Sequence, residues 1–490
     1  MKRLLLPGPA ALLAMAIALP AAASLLESYD LFFSIATGRW IIAHGFPSRD
    51  PFSLTATELW SHHEWAYCVL SAWSAELFGG WGPSLLAALV LAIEVLLVGA
   101  LLREAQGERY LLGLVCLLLV FGAQDYAWNA ERAYHLGHLA FVLAVLLVQR
   151  YRRGGRIAAW LFIPLVAVWA NLHGSWVAGP ALLGALALGQ AADGVVEGPV
   201  RLRRFGEAVL VCALALLASA LSPDTWRMPL YPLRFLTGFA DYEVAEWHPL
   251  SLGNTCGASL AALAGLALWA AARARRRCFA LLLPALGLTL VATRIERFSP
   301  MAAVLLAVAA LEHLQSGPAL GWPAHLGHAW RRLDAWLRPA WLRAGGGIWV
   351  LAAIAVLACL AGAEPASLES RMDRRFFPVR ALRVLSELPP GKVLNTYRFG
   401  GAISALAGPD YKVYIDGRAE PFPPEVHADY RRMALLLPGW REAFERYAPD
   451  YLLWSRELYG SALIEVLEGA GWRALVEERA GGLWLPPPRD

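Results

Sequence analysis

Long apolar runs broken by short clusters of arginine fill the first three-quarters of the chain, and strand and helix signals alternate after about Pro365. Eleven runs read as helices of membrane type, at about 4–26, 82–102, 109–123, 136–149, 157–172, 175–192, 207–222, 252–272, 278–293, 299–311 and 346–363. A helix needs about 20 apolar residues to cross a bilayer. Several runs are shorter and borrow Trp, Gly or His at their ends, and the tenth, Ser299 to Leu311, is the weakest. The basic start Met1-Lys2-Arg3 and the small residues Ala21-Ala22-Ala23 fit a secretory signal. The length of the run and the many spans after it favour an uncleaved first span.

Beyond residue 365 the pattern is that of a small α/β domain. Strands are expected at 391–395, 411–415, 451–454, 472–477 and 482–485, and helices at 379–388, 424–436, 439–446 and 461–470, with a short helix opening at Gly400-Gly401. The expected organisation is an α-helical polytopic membrane domain over 1–364, with a long first external loop at 27–80, followed by an extracytoplasmic α/β domain over 365–490.

Composition sharpens this picture. The 490 residues are 58% hydrophobic and 17% charged, against about 45–50% and about 25% for soluble globular chains. That balance excludes a soluble enzyme, a disordered chain and a fibrous protein. A net charge of +4 argues against a nucleic-acid partner. Six cysteines, scattered in or beside apolar runs without a CxxC, argue against a disulfide framework or structural zinc.

The placement of the charges gives an orientation. With the N-terminus inside, the inner segments hold Lys2 and Arg3, Arg103 and Arg109, the 150–156 and 201–204 clusters, Arg273 to Arg277, and Arg331 to Arg343. These make 19 basic residues against 7 in the outer segments. The positive-inside rule then sets a cytoplasmic N-terminus and an external C-terminal domain.

The polar chemistry collects in the outer segments. Asp30 follows the first span and is succeeded by an amphipathic helix over about 31–44. A carboxylate fixed there can act as a general base on a hydroxyl or simply cap the helix. Asp50 is a further acid, and His63-Glu64 (after His62) offers loop ligands, although adjacent histidines lack the HExxH spacing of a zinc site. Arg132 and His135 share a face if their stretch is helical. Asn171 and His173 enter the sixth span, and Glu246 lies in a long aromatic segment. Arg294 and Arg297 break the charge asymmetry on the outside, and a phosphate is a natural partner for them.

These strings together resemble the GT-C superfamily of integral-membrane glycosyltransferases, and more narrowly a bacterial branch of it. The resemblance is carried by Asp30-Leu31-Phe32, Thr37-Gly38-Arg39-Trp40, Asp50-Pro51-Phe52-Ser53, His63-Glu64-Trp65, Asn171-Leu172-His173-Gly174, Glu246-Trp247-His248-Pro249 and Tyr414-Ile415-Asp416-Gly417-Arg418. It implies a bacterial inner-membrane enzyme that takes a sugar from a polyprenyl-phosphate-linked donor. The acceptor would be an extracytoplasmic glycan, lipid or protein, and membrane lipid a further partner. Asp30 would be the base of an inverting transfer, and Arg132, His135, Asn171, His173, Glu246, Arg294 and Arg297 would bind substrate or phosphate. Many members of the superfamily carry two adjacent acids in the first loop, and some use the pair for a divalent metal. Here Asp30 is flanked by Tyr29 and Leu31, which leaves a metal (Mg or Mn) open, with Asp50, His63 and Glu64 as second acid or loop site. A transporter and a non-catalytic lipid-binding scaffold are the competing classes. Against the transporter, no matched pair of Gly/Pro-broken spans is visible.

Overall fold

Each of the eleven apolar runs carries a helix in the computed structural model, which describes residues 8–57, 63–124, 131–193, 199–231, 248–316, 324–341, 347–363, 366–418 and 420–488. In chain order the first ten helices are α1 (Pro9–Ala23), α2 (Tyr29–His44), α3 (Trp65–Phe78), α4 (Gly82–Gln106), α5 (Tyr110–Gly122), α6 (Tyr134–Arg152), α7 (Arg156–Trp160), α8 (Phe162–Trp169), α9 (Ala178–Asp193) and α10 (Pro199–Ala218). Five more follow at Thr255–Arg273, Phe279–Ala292, Ser299–Ser316, Ala324–Trp341 and Gly347–Ala363. The fifth run is split into α7 and α8 at Leu161, where Pro164 can donate no hydrogen bond to the carbonyl of Trp160.

Length and composition qualify four helical stretches among the described residues to cross a membrane: Trp65–Gln106, Gly174–Asp193, Thr255–Arg273 and Glu296–Ser316. The other apolar helices are shorter, so the figure of eleven spans is not established by this criterion. The tenth run reverses its expectation. It extends to Ser316, and every residue from Ser299 to Leu311 is buried. A helix apolar on all sides belongs inside a bundle, and its low polarity is the reason.

The chain forms two compact units. One comprises residues 1–22, 87–129 and 133–357 and is a helical bundle. Small residues let its backbones approach: a side chain at Gly189 of α9 would strike the backbone of Ala280, and one at Gly122 of α5 would strike Ser259.

The second unit comprises residues 23–86, 130–132 and 358–490, so the first loop is part of the same unit as the C-terminal residues. Its sheet has five strands, β1 (Lys392–Asn395), β2 (Lys412–Val413), β3 (Tyr451–Trp454), β4 (Arg473–Glu477) and β5 (Gly482–Leu485), in the order β2-β1-β3-β5-β4. β1 runs parallel to β2 and β3, while β5 is antiparallel to β3 and β4. β3 is apolar along its length, and Val393 and Leu394 are the apolar centre of β1, because both faces of the sheet are covered there. One face packs Val393 and Leu453 against Leu31, Phe32 and Ile35 of α2 and against Leu382 and Ile403. The other packs Leu394, Leu452 and Trp484 against Tyr430, Met433 and Ile464.

One observation corrects the amphipathic reading of α2. Leu31 through Gly38 are all buried, so its first half has no solvated face. The loop after it adds an edge to the sheet: the Val413 N–H donates to the Phe52 carbonyl at 3.0 Å, Ser53 Oγ donates to the Val413 carbonyl at 2.7 Å, and Lys412 Nζ donates to the Pro51 carbonyl at 2.8 Å.

The helix Gly400–Leu406 meets α2 through Gly401, where a Cβ would lie 2.6 Å from Phe33 N and 3.1 Å from the Tyr29 carbonyl. Backbone cannot yield as a side chain can, so Gly401→Val should destabilise this unit by about 1–3 kcal/mol. Thermal unfolding of the full chain in detergent checks this, with Gly287→Ala, which meets nothing within 4 Å, as the unaffected control.

Candidate active site

Asp30 lies in the first turn of α2, with Ser28 at the N-cap. Asp30 is thus not at the N-cap position, Ser28 makes no side-chain capping hydrogen bond, and the Asp30 side chain is turned to an ion pair. Arg132 Nη2 donates to Asp30 Oδ2 at 2.6 Å, with both side chains about four-fifths buried. Burial works against the guanidinium charge, but the Asp30 carboxylate outweighs it and holds the Arg132 pKa above its ordinary value. Arg132 precedes α6, so it shares no helical face with His135.

Two parts of the C-terminal segment close on Asp30. A Cβ on Gly417 would sit 2.8 Å from Asp30 Oδ1 and 3.1 Å from the Tyr29 ring, so only glycine admits the approach. The Tyr29 and Tyr397 rings meet edge to face at 6.1 Å. Burial, then the charge of Asp30, raises the Tyr397 pKa well above the ordinary phenol range, which keeps it protonated. The Tyr397 backbone N–H donates to the Tyr430 hydroxyl at 2.8 Å and fixes the start of that turn.

Gly417 is held by its neighbours. Arg418 is buried, with Nε 2.9 and 3.0 Å from the two Asp416 carboxylate oxygens and Nη2 2.6 Å from Oδ2. Its Nη1 donates to Asp50 Oδ2, and the Phe52 and Phe422 rings flank it at 5.6 and 5.9 Å. Burial opposes this charge too, but Asp416 and then Asp50 raise its pKa. Asp50 Oδ1 accepts the N–H groups of Phe52 and Ser53, both at 2.8 Å. One Asp50 oxygen thus shapes the turn of the first loop, and the other fastens that loop to the Asp416-Gly417-Arg418 corner.

His63 lies 3.5 Å from Glu64 and 4.0 Å from Glu420, and Glu64 occupies the N-cap position of α3. His62 and Glu246 fall outside the described residues. Among the described residues no group of three or more His, Cys, Asp or Glu is placed to hold a metal ion. Asp30 Oδ2 is taken by the Arg132 guanidinium, a cation in the place a metal ion would need.

The helical unit carries a second polar set. Arg297 Nη2 donates to His173 Nε2 at 2.8 Å, and the guanidinium lies 5.7 Å from the Tyr134 ring centre. Since a guanidinium only donates, His173 Nε2 accepts, and Nδ1 faces Ser175 Oγ at 2.7 Å. Tyr134 stacks on His138 and meets His135 and His173 edge-on. His138 Nδ1 and Gln124 Nε2 each lie 2.7 Å from Glu94 Oε1, and His135 Nδ1 is 3.9 Å from Glu94 Oε2. Asn171 serves the backbone, donating to the Ala167 and Leu221 carbonyls at 2.7 and 3.0 Å. Arg294 is exposed. Glu94 and Gln124 are additions to the expected set. An acid alone in the middle of the apolar run 82–102 was the available signal for Glu94.

Comparison with family models and with curated proteins finds no match. Solved structures do match in fold. The oligosaccharyltransferase of Archaeoglobus fulgidus in its apo form aligns at a TM-score of 0.56 and 16% identity, over 92% of this chain and 69% of that one. The same archaeon's oligosaccharyltransferase AglB, in complex with an inhibitory peptide and a dolichol-phosphate, aligns at 0.56 and 13%, over 95% and 72%. ArnT from Cupriavidus metallidurans, bound to undecaprenyl phosphate, aligns at 0.52 and 14%, over 98% of both chains. These are GT-C proteins, and this chain has the GT-C fold.

Removing Arg418 would leave two buried carboxylates facing each other. Arg418→Gln is expected to destabilise the unit by roughly 3–5 kcal/mol, seen as a lowered melting temperature and faster proteolysis after residue 45.

Glu131, next to Arg132, gives a pH signature. Burial pushes its carboxyl up to about 7 from an ordinary 4.5, and Oε2 has no hydrogen-bond partner among the described residues. The folded-state value is raised, so the associated stability is fully present below about pH 4.5 and is lost as the pH rises through about 7, a difference of roughly 3 kcal/mol. Melting curves of Glu131→Gln against wild type should show a flatter pH dependence in the variant across that window.

Proposed function

We propose that this protein is a membrane glycosyltransferase of GT-C type that moves a sugar from a polyprenyl-phosphate-linked donor to an extracytoplasmic acceptor. The observation that carries the reading is the Asp30–Arg132 ion pair at 2.6 Å, closed on one side by Gly417. The GT-C fold and the lipid phosphates bound by the AglB and ArnT structures support it. A bacterial inner-membrane location, with the N-terminus cytoplasmic and the C-terminal domain outside, goes with the same reading, as do the domain limits at 364/365.

In the proposed reaction Asp30 accepts the proton of the acceptor hydroxyl as its oxygen attacks the anomeric carbon with inversion. The bond from that carbon to the donor phosphate breaks, and its electron pair leaves on the polyprenyl phosphate. The leaving group is already an anion, so it needs charge stabilisation more than protonation, and guanidiniums supply that. Arg132 is the group best placed to be exchanged. Paired with Asp30 it occupies the base, and transferred to the donor phosphate it frees the carboxylate. No step is routed through a metal.

Membranes containing the full-length protein, supplied with radiolabelled polyprenyl-phosphate sugars, test this reading. Asp30→Asn should lower transfer by about 10²–10⁴-fold, with donor binding retained. Arg132→Gln should chiefly weaken use of the donor. Donor binding without turnover in the wild type would instead identify a lipid-binding scaffold. The buried Glu94–His138 pair (2.7 Å) is of a kind found in proton-coupled transporters, so substrate flux in proteoliposomes would favour that second reading.

A further inference from the structure

At the end of the helical unit where α6 and α9 finish and the helix Phe279–Ala292 begins lies a cavity of about 540 Å³ that the proposed reaction does not use. The arginine asymmetry places this end on the cytoplasmic side. Five arginines and three carboxylates line it. The carboxylates are already committed. Glu104 accepts from Arg153 at 2.6 Å, Glu312 accepts from Arg152 at 3.0 Å and from Gln149 at 2.6 Å, and Asp193 receives the helix-start N–H groups of Phe279 and Ala280. Arg204, Arg276 and Arg277 also line the cavity and have no acidic partner among the described residues. The floor is fixed, because the buried His313 accepts the Cys278 N–H at 2.9 Å and Arg152 reaches Cys278 Sγ at 2.9 Å.

We propose that this cavity is a phosphate-binding site filled by the headgroup of an anionic membrane lipid. Three guanidiniums that have no acidic partner among the described residues surround one opening and match the oxygens of a phosphate ester, to which arginine binds in bidentate fashion. Basic pockets between helices on the cytoplasmic side bind phosphate headgroups for this reason. A lipid source is favoured over free phosphate by a second feature of the same helix. Between α6 and α7–α8 runs an apolar groove of about 540 Å³ lined by Leu147, Ile157 and Leu161, whose one charged lining residue is Arg150. Arg150 stands one turn from Arg153 of the cavity. A groove of that composition takes an acyl chain.

The test uses the full-length protein in nanodiscs of phosphatidylcholine with and without phosphatidylglycerol, and in detergent with and without inorganic phosphate. Phosphatidylglycerol should raise the unfolding temperature of the wild type. The triple variant Arg204→Gln, Arg276→Gln, Arg277→Gln should bind it roughly a hundredfold more weakly, at about a factor of five per arginine. The double variant Arg331→Gln, Arg332→Gln, on the exposed face of the helix Ala324–Trp341, should keep the full effect. Inorganic phosphate protecting as well as the lipid, and losing that effect in the triple variant, would uphold the phosphate site with a soluble source. An unchanged lipid effect in the triple variant, or an equal loss in the Arg331/Arg332 control, overturns the proposal. If the triple variant does not fold, Arg277→Gln alone should show about a fivefold loss, and no loss there counts against the site.

Discussion

One buried guanidinium fastens the unit that holds Asp30. Arg418 lies between Asp416 on its own turn and Asp50 on the first loop, 368 residues away in sequence. Two carboxylates and one arginine out of water are favourable only if all three stay together, since loss of any member leaves an uncompensated buried charge. The remaining Asp50 oxygen is tied to the N–H groups of Phe52 and Ser53. Ser53 in turn pairs with Val413 at the edge of the sheet. The loop, the sheet edge and the corner therefore form or fail as one piece. Gly417, between the two charged residues of the corner, is thereby set against the carboxylate of Asp30.

The C-terminal elements were legible because their signals are local. Val393-Leu394 and Tyr451-Leu452-Leu453-Trp454 are short apolar runs between turn residues, and they became β1 and β3 within a residue of expectation. The run from Tyr411 to Ile415 formed only Lys412–Val413: the Tyr414 N–H is shared between the Val393 carbonyl and the Asn395 side chain, and the Ile415 carbonyl accepts from the same Asn395 amide. The candidate site was legible in part. An acid just beyond the first apolar run stands out in sequence, and so does the Asp-Gly-Arg corner, but the sequence does not reveal that they meet. The Arg132–Asp30 pair spans 102 residues, and no periodicity reports a contact of that kind. Asp50 illustrates the limit. As an isolated acid it suits a second catalytic carboxylate, and its two oxygens prove to be engaged by a turn and a guanidinium.

Arg418, Arg132 and Arg297 differ in what they are paired with, and the difference sorts their roles. Arg418 is saturated by two acids and has no charge to offer a ligand, so it acts as a fastener. Arg297 gives a hydrogen bond to an imidazole and rests on an aromatic ring, contacts that orient its guanidinium. Arg132 lies between these cases, with one acid at 2.6 Å and one fifth of its side chain exposed.

That intermediate state bears on how a lipid-phosphate transferase would protect its donor. On the proposed reading, a base left free in the empty site would accept a proton from any water that entered, and the donor sugar would be hydrolysed. An Arg132 that leaves Asp30 only for a competing anion removes the problem by mass action. A donor phosphate carries more charge and more acceptor oxygens than one carboxylate, and in a partly dry pocket that advantage is larger than in water. The carboxylate would then become available as a base in the state where the anomeric carbon is present. Binding energy from the phosphate, remote from the atoms that react, would be spent on assembling the catalytic group, which is how such energy lowers a barrier instead of merely tightening the complex. Gly417 fits this scheme because it brings backbone without side-chain bulk.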